Sequence, residues 1–347
     1  MKVAVGLSGG IDSTACILRL HEAGHDVIGI TMKATFHNQE YGKCCTIEDV
    51  HDAKKICDSI SARHYVVDVK HEFQEKIVNY FIDEYLKGRT PNPCIFCNEL
   101  IKFKRLMEAA KTLGYDKFAT GHYAILDWDR DIPILRKGVD PAKDQAYFLS
   151  RLPLSLLENC LFPLGNTVKK ENLDFLNERN LDLSKKKESH EICFVPGDDY
   201  SQFLRDQAGD RITAGDIIDE QGQKIGSHDG IPYYTIGQRR GLNVAMGKPV
   251  YVREMDANTN TITVGDRPYD DECYIDQVNW LAPYDFENPE TLQVKVRYFH
   301  EGEMATLCKT QDDRIFLKFN KPVFSVTKGQ AAVGYRGDRV IFSGIIS

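Results

Sequence analysis

The stretch Lys2–Gly24, KVAVGLSGGIDSTACILRLHEAG, decides the fold. Its first six residues, KVAVGL, read as a short buried strand. DSTACILRLHEAG reads as a helix, with Ala15, Leu18 and Ala23 on one face and Gly24 as its stop. Between them lies Gly6-Leu7-Ser8-Gly9-Gly10-Ile11-Asp12-Ser13. Such a strand-to-helix turn aims free backbone amides and the positive helix end at one point, where a polyphosphate is well placed. Gly9 and Gly10 permit close backbone approach, and Ser8 and Ser13 offer hydroxyls. The turn lacks the Gly-Lys-Ser/Thr ending of a Walker A loop and is not G-x-G-x-x-G.

Working outward, DVIGITM, HYVVDV and YDKFATGHYA read as three further strands. TIEDVHDAKKICDSIS, HEFQEKIVNYFIDEYLKG and NELIKFKRLMEAAKTLG read as helices, the first with Thr46 and Asp49 at capping-box spacing. This alternation predicts an α/β domain with a parallel sheet, and ligands at the carboxyl ends of its strands. After about Ile192 short alternating runs separated by Gly, Asp and Asn turns predict two small, mainly-β units. The expected division is 1–200 for an α/β nucleotide domain, 201–270 for a central β-rich domain and 271–347 for a terminal β-barrel.

Of 347 residues, 42% are hydrophobic and 27% charged, as in ordinary globular chains. No run is long enough to span a membrane. Met1-Lys2 leads straight into a strand pattern rather than a cleavable leader. Ten cysteines without a secretory signal point to a reducing cytoplasm, with thiols that are buried, catalytic or metal-bound. A net charge of −7 requires any nucleic-acid contact to use a local basic face.

SGGIDS resembles the loop of the PP-loop ATP pyrophosphatase superfamily, which cleaves ATP between the α- and β-phosphates. TPNPCIFCN (90–98), FATGHYA (118–124), PAKDQAYFLS (141–150), EICF (191–194), GIPYYTIGQRRGL (230–242) and KGQAAV (328–333) follow in that order. Together they resemble the tRNA-specific 2-thiouridylases, across nearly the whole chain. The resemblance implies ATP-dependent adenylation of the C2 carbonyl oxygen of the wobble uridine, followed by sulfur transfer to C2. It implies ATP contacts at Gly6, Leu7, Ser8, Gly9, Gly10, Ile11, Asp12, Ser13, Met32 and Gly121. Asp12 is a candidate Mg²⁺ ligand or, equally, a helix N-cap. tRNA contacts are implied at Asn92, Pro93, Cys94, His122, Lys143, Asp144, Gln145, Arg297, Tyr298 and Gln330. Arg239 and Arg240 could add basic surface. The target base must leave the anticodon stack to expose its O2 atom. A sulfur-donor relay or cysteine desulfurase is the implied partner.

By the same resemblance Cys193 takes sulfur as a persulfide and Cys97 is its catalytic partner. Lys102 and Lys104, just downstream, could lower a thiol pKa. One form of the family has Asp where this chain has Cys94, so three readings stay open. The first is a persulfide and disulfide cycle between Cys97 and Cys193. The second is a 4Fe–4S cluster on Cys94, Cys97 and Cys193 with one iron open. The third is a zinc site completed by His190. The prolines around the motif suggest an exposed loop. Cys16, Cys57, Cys160, Cys273 and Cys308 read as structural, and Cys44 and Cys45 carry no assigned role. Two rival functions are a PP-loop ligase acting on a small metabolite and a non-catalytic RNA-binding redox protein.

Overall fold

The computed structural model describes residues 1–34, 46–181 and 192–347. Cys44, Cys45, Lys185–Lys187, His190 and Glu191 lie outside them, so the zinc reading through His190 has no described ligand there.

The first 68 residues alternate strand and helix: β1 (Lys2–Gly6), α1 (Ile11–Glu22), β2 (Asp26–Lys33), α2 (Ile47–Ser59) and β3 (Arg63–Asp68). Val3, Ala4 and Val5 are fully buried, as expected for a strand covered on both faces. Thr46 caps α2: its hydroxyl accepts from Asp49 N–H, and the Asp49 carboxylate accepts from Thr46 N–H. Two long helices follow. The first joins α3 (Lys70–Phe73), a π-helical segment (Gln74–Val78) and α4 (Asn79–Leu86). The second joins α5 (Pro93–Cys97), another π-helical segment (Asn98–Arg105) and α6 (Leu106–Thr112). β4 (Lys117–Ala119) then returns to the sheet.

Further on come the hairpin β5 (Ala124–Asp129) and β6 (Ile132–Lys137), then α7 (Ala146–Leu149), α8 (Leu154–Leu157), β7 (Cys160–Leu161) and α9 (Lys169–Asn177). The parallel sheet has the order β3-β2-β1-β4-β7. The strand order reverses direction between β1 and β4, so the loops after these two strands face each other at the switch point.

The rest is mainly β. After α10 (Tyr200–Ala208), β8 (Gly215–Ile218), β9 (Lys224–His228), β10 (Tyr251–Asp256) and β11 (Thr261–Gly265) form a four-stranded sheet around Ile217, Val252, Ile262 and Val264. The strands β12 (Tyr269–Trp280), β13 (Thr291–Lys295), β14 (Glu303–Lys309), β15 (Ile315–Phe324), β16 (Ala331–Arg336) and β17 (Arg339–Ile346) close a six-stranded antiparallel barrel through the β12–β17 pairing. The expected fold class is therefore the observed one. The β5–β6 hairpin, which belongs by sequence to the first domain, adds to the barrel sheet beside β17.

Candidate active site

The turn after β1 is built as a cradle. The first helical bond of α1 runs from Thr14 N–H to Gly10 C=O, so the amides of Ile11, Asp12 and Ser13 have no acceptor within the helix. Leu7 anchors the turn by donating to Ile30 C=O and accepting from the Thr31 hydroxyl. The Ser13 hydroxyl accepts from Ser8 N–H at 3.2 Å. Gly9 has φ +69°, and a Cβ there would lie 2.7 Å from Asp49 O, so the turn also presses on the first helical turn of α2. From the facing loop after β4, a Cβ on Gly121 would lie 2.6 Å from the Asp12 carbonyl group. Met32, at the carboxyl end of β2, is buried.

Asp12 occupies the second residue of α1, and Gly10 holds the N-cap, which corrects the N-cap alternative. One Asp12 carboxylate oxygen accepts from Lys169 Nζ at 2.7 Å and from the Tyr123 hydroxyl at 2.8 Å. Asn172 donates to the Tyr123 hydroxyl and accepts from Arg19. Burial, then the Asp12 charge, pushes the Tyr123 phenol well up, so it stays protonated and donates. Lys169, Tyr123 and Asn172 were not found by sequence reasoning. A lysine held against a nucleotide loop carries no local signal at 157 residues' separation from its partner. The Asp12 carboxylate is thus matched by an ammonium in this structure.

The cysteine motif is not an exposed loop. Pro91, Pro93 and Cys97 are buried, and Cys94 is half-buried. Proline at the first helical position is preorganised for helix, so Pro93 starts α5 and the two cysteines fall one turn apart. Cys97 belongs to the hydrophobic cluster that also holds Met32, Ile77 and Phe81, and Cys193 packs against the same cluster. Phe194, next to Cys193, stacks edge-on against Phe73 and Phe81 at 5.7 and 5.2 Å. Cys97 and Cys193 thus both pack against one extensive core, which also takes in the carboxyl end of β2. Among the described residues, however, no three His, Cys, Asp or Glu side chains are grouped to hold a metal ion. The cluster reading of Cys94, Cys97 and Cys193 does not fit these residues as they stand. Lys102 is half-buried near His122, and Lys104 is exposed.

Cys16, Cys57, Cys160 and Cys273 are buried. Burial pushes the Cys57 thiol to about 11 and the Cys273 thiol to about 12, and raises Cys16 and Cys160 further. Such thiols are not nucleophiles at neutral pH.

Several residues assigned to tRNA stand at the seam between the α/β domain and the barrel. Asp144 accepts from the amides of Gly138 and Ala146. Gln145 exchanges two hydrogen bonds with the Tyr123 backbone. Arg297 donates to the carbonyls of Phe324 and Ser325, Tyr298 to that of Asp144, and Gln330 to that of Thr90. Thr90 N–H in turn donates to Lys328 C=O. The buried Tyr147 hydroxyl donates to Ala331 C=O and so links α7 to β16. His122 bonds Thr120, and burial pulls its pKa down to about 3 with help from Lys102, which keeps the ring neutral.

Family models describing a tRNA methyl transferase HUP domain, a tRNA methyl transferase PRC-barrel domain and an aminomethyltransferase β-barrel domain match residues 1–197, 201–266 and 270–346. The tRNA-specific 2-thiouridylase MnmA of Natranaerobius thermophilus is 41% identical over 357 residues, covering 99% of this chain and 97% of that one. The chain belongs to the tRNA-specific 2-thiouridylase family. Another 2-thiouridylase, from Caldanaerobacter subterraneus subsp. tengcongensis, is 40% identical with the same coverage. That of Geotalea uraniireducens is 41% identical, covering 99% and 94%. Within a 2-thiouridylase, the β1–α1 turn is the expected ATP cradle, and its free amides, serines and close-packed glycines fit a polyphosphate. No described helix is long and apolar enough to cross a membrane.

Proposed function

We propose that this chain is a tRNA-uridine 2-sulfurtransferase that converts ATP to AMP and diphosphate. The observation that carries the reading is full-length family membership combined with an intact phosphate cradle. ATP lies with its phosphates on the amides of Ile11–Ser13, and Mg²⁺ arrives on the nucleotide, bound by its phosphate oxygens. Lys169 leaves Asp12 to meet the charge that develops as diphosphate departs. The C2 oxygen of the wobble uridine attacks the α-phosphorus, and the bond to diphosphate breaks. AMP then becomes the leaving group at C2.

Sulfur enters through Cys193, loaded as a persulfide by a donor relay or desulfurase. The terminal sulfur attacks C2, and the C–O bond to AMP breaks. The Cys97 thiolate attacks the Cys193 sulfur, the S–S bond to the new thiocarbonyl breaks, and a Cys97–Cys193 disulfide remains for an external thiol to reduce. Cys94 adjoins this pair on α5. Asn92, Pro93, Cys94, His122, Lys143, Gln145, Arg297, Tyr298 and Gln330 border the tRNA path, some through the seam they hold together. The chain works as three units, 1–200, 201–270 and 271–347, in the cytoplasm.

The test is reconstitution with unmodified tRNA, ATP and a persulfide donor, read by nucleoside mass spectrometry. Formation of 2-thiouridine with tRNA-dependent AMP release is the expected outcome. AMP release that ignores tRNA would favour a small-metabolite ligase.

A further inference from the structure

Phe299 is 88% exposed, the highest value among the large apolar side chains described. A lone exposed aromatic is unremarkable on most surfaces; its mounting here is not. It sits in the turn between β13 and β14, and that turn is pinned at every step. Val296 N–H donates to the His300 ring, and His300 N–H donates to Arg297 C=O. Arg297 is tied to the carbonyls of Phe324 and Ser325. Tyr298 donates to Asp144 C=O, and its ring lies 4.5 Å from that of Phe148. Phe299 leans on this fixed Tyr298 ring at 4.8 Å and 63°.

Cations surround the turn. Lys295 Nζ lies 5.5 Å from the Tyr298 ring centre. Lys143 acts electrostatically on Tyr298, and Arg297 and Lys295 act on His300. The carboxylates near them are Asp144, one oxygen of which accepts from two backbone amides and which also acts on Lys295, and Glu301 and Glu303, which act on His300. A rigid, bare aromatic ring beside several cations is the arrangement that binds a single-stranded nucleic acid: bases stack on the ring and phosphates meet the charges.

We propose that Phe299 is a stacking platform for one unpaired base of the bound tRNA, with Lys143, Lys295 and Arg297 under the adjoining phosphates. The proposal rests on the tRNA reading above. The experiment compares the wild type with Phe299→Ala and Phe299→Trp, by tRNA affinity at fixed salt and by thiolation kinetics. Phe299→Ala should weaken tRNA binding and raise KM by about tenfold or more. Its kcat at saturating tRNA should match the wild type, and the salt dependence of binding should keep its slope, because no phosphate contact is lost. Phe299→Trp should keep wild-type affinity, and tRNA should quench its indole emission. Wild-type affinity in Phe299→Ala, or an unquenched Trp in a protein that binds tRNA, overturns the platform. Absence of tRNA binding by the wild type itself overturns the parent reading and the platform with it.

Discussion

Asp12 carries Lys169 and Tyr123 on a single carboxylate oxygen, at the entrance to the phosphate cradle. In the proposed reaction that ammonium meets the charge on the departing diphosphate. Lys169→Ala should therefore slow tRNA-dependent AMP release by about a hundredfold, while tRNA affinity, measured separately, stays unchanged. Cys193→Ser should abolish 2-thiouridine formation and leave tRNA binding near the wild-type value, because the thiol enters only at sulfur transfer. His122 gives a pH prediction. Its pKa falls from 6.5 to about 3 on folding, so below pH 6.5 the unfolded chain takes up a proton that the folded chain refuses. Stability should fall as pH drops from 6.5 towards 3, and His122→Gln should flatten that part of the curve in urea titrations. The glycines and serines of the cradle were legible in the sequence because they are local. Lys169 and Tyr147 were not, since each acts on a residue brought near only by the tertiary fold.

The helix beginning at Pro93 shows what a single element can hide. Two prolines and two cysteines suggest an exposed loop, yet Asn92 and Pro93 open a helix in which Cys97 is buried and Cys94 half-buried. Periodicity placed β1 to β4 and their helices, because their apolar residues recur at strand or helix spacing. It missed the β5–β6 hairpin, which pairs with the barrel, and the short helices α7 to α9, of which α9 packs on α1. It also gave no hint that both long helices contain π-helical segments, one beginning directly after Cys97. The start of α5 is held from outside. Thr90 pairs with Lys328 and Gln330. Gly329, with φ +91°, lets that turn approach, since a Cβ would sit 3.2 Å from the Thr90 carbonyl group. Gly329→Ala should destabilise the fold by about 1–3 kcal/mol, measurable in thermal or denaturant unfolding, with sulfur transfer impaired more than ATP binding.

At the scale of the whole molecule, the barrel helps hold the start of α5. The hairpin it annexes, the 328–331 turn and the Arg297–Tyr298 turn all bond to the α/β domain. Under the proposed reading, a tRNA held against the barrel would bear on the same seam that holds the start of α5. With a net charge of −7, binding must depend on local cations, and tRNA affinity should fall steeply between low and moderate salt.

The most direct measurement is a single turnover on tRNA by protein carrying a persulfide, followed by peptide mass spectrometry before any reductant is added. A Cys97–Cys193 linked peptide should accumulate in step with 2-thiouridine and AMP. Thiolated tRNA formed at a normal rate by Cys193→Ser, or with neither cysteine consumed, would contradict the account.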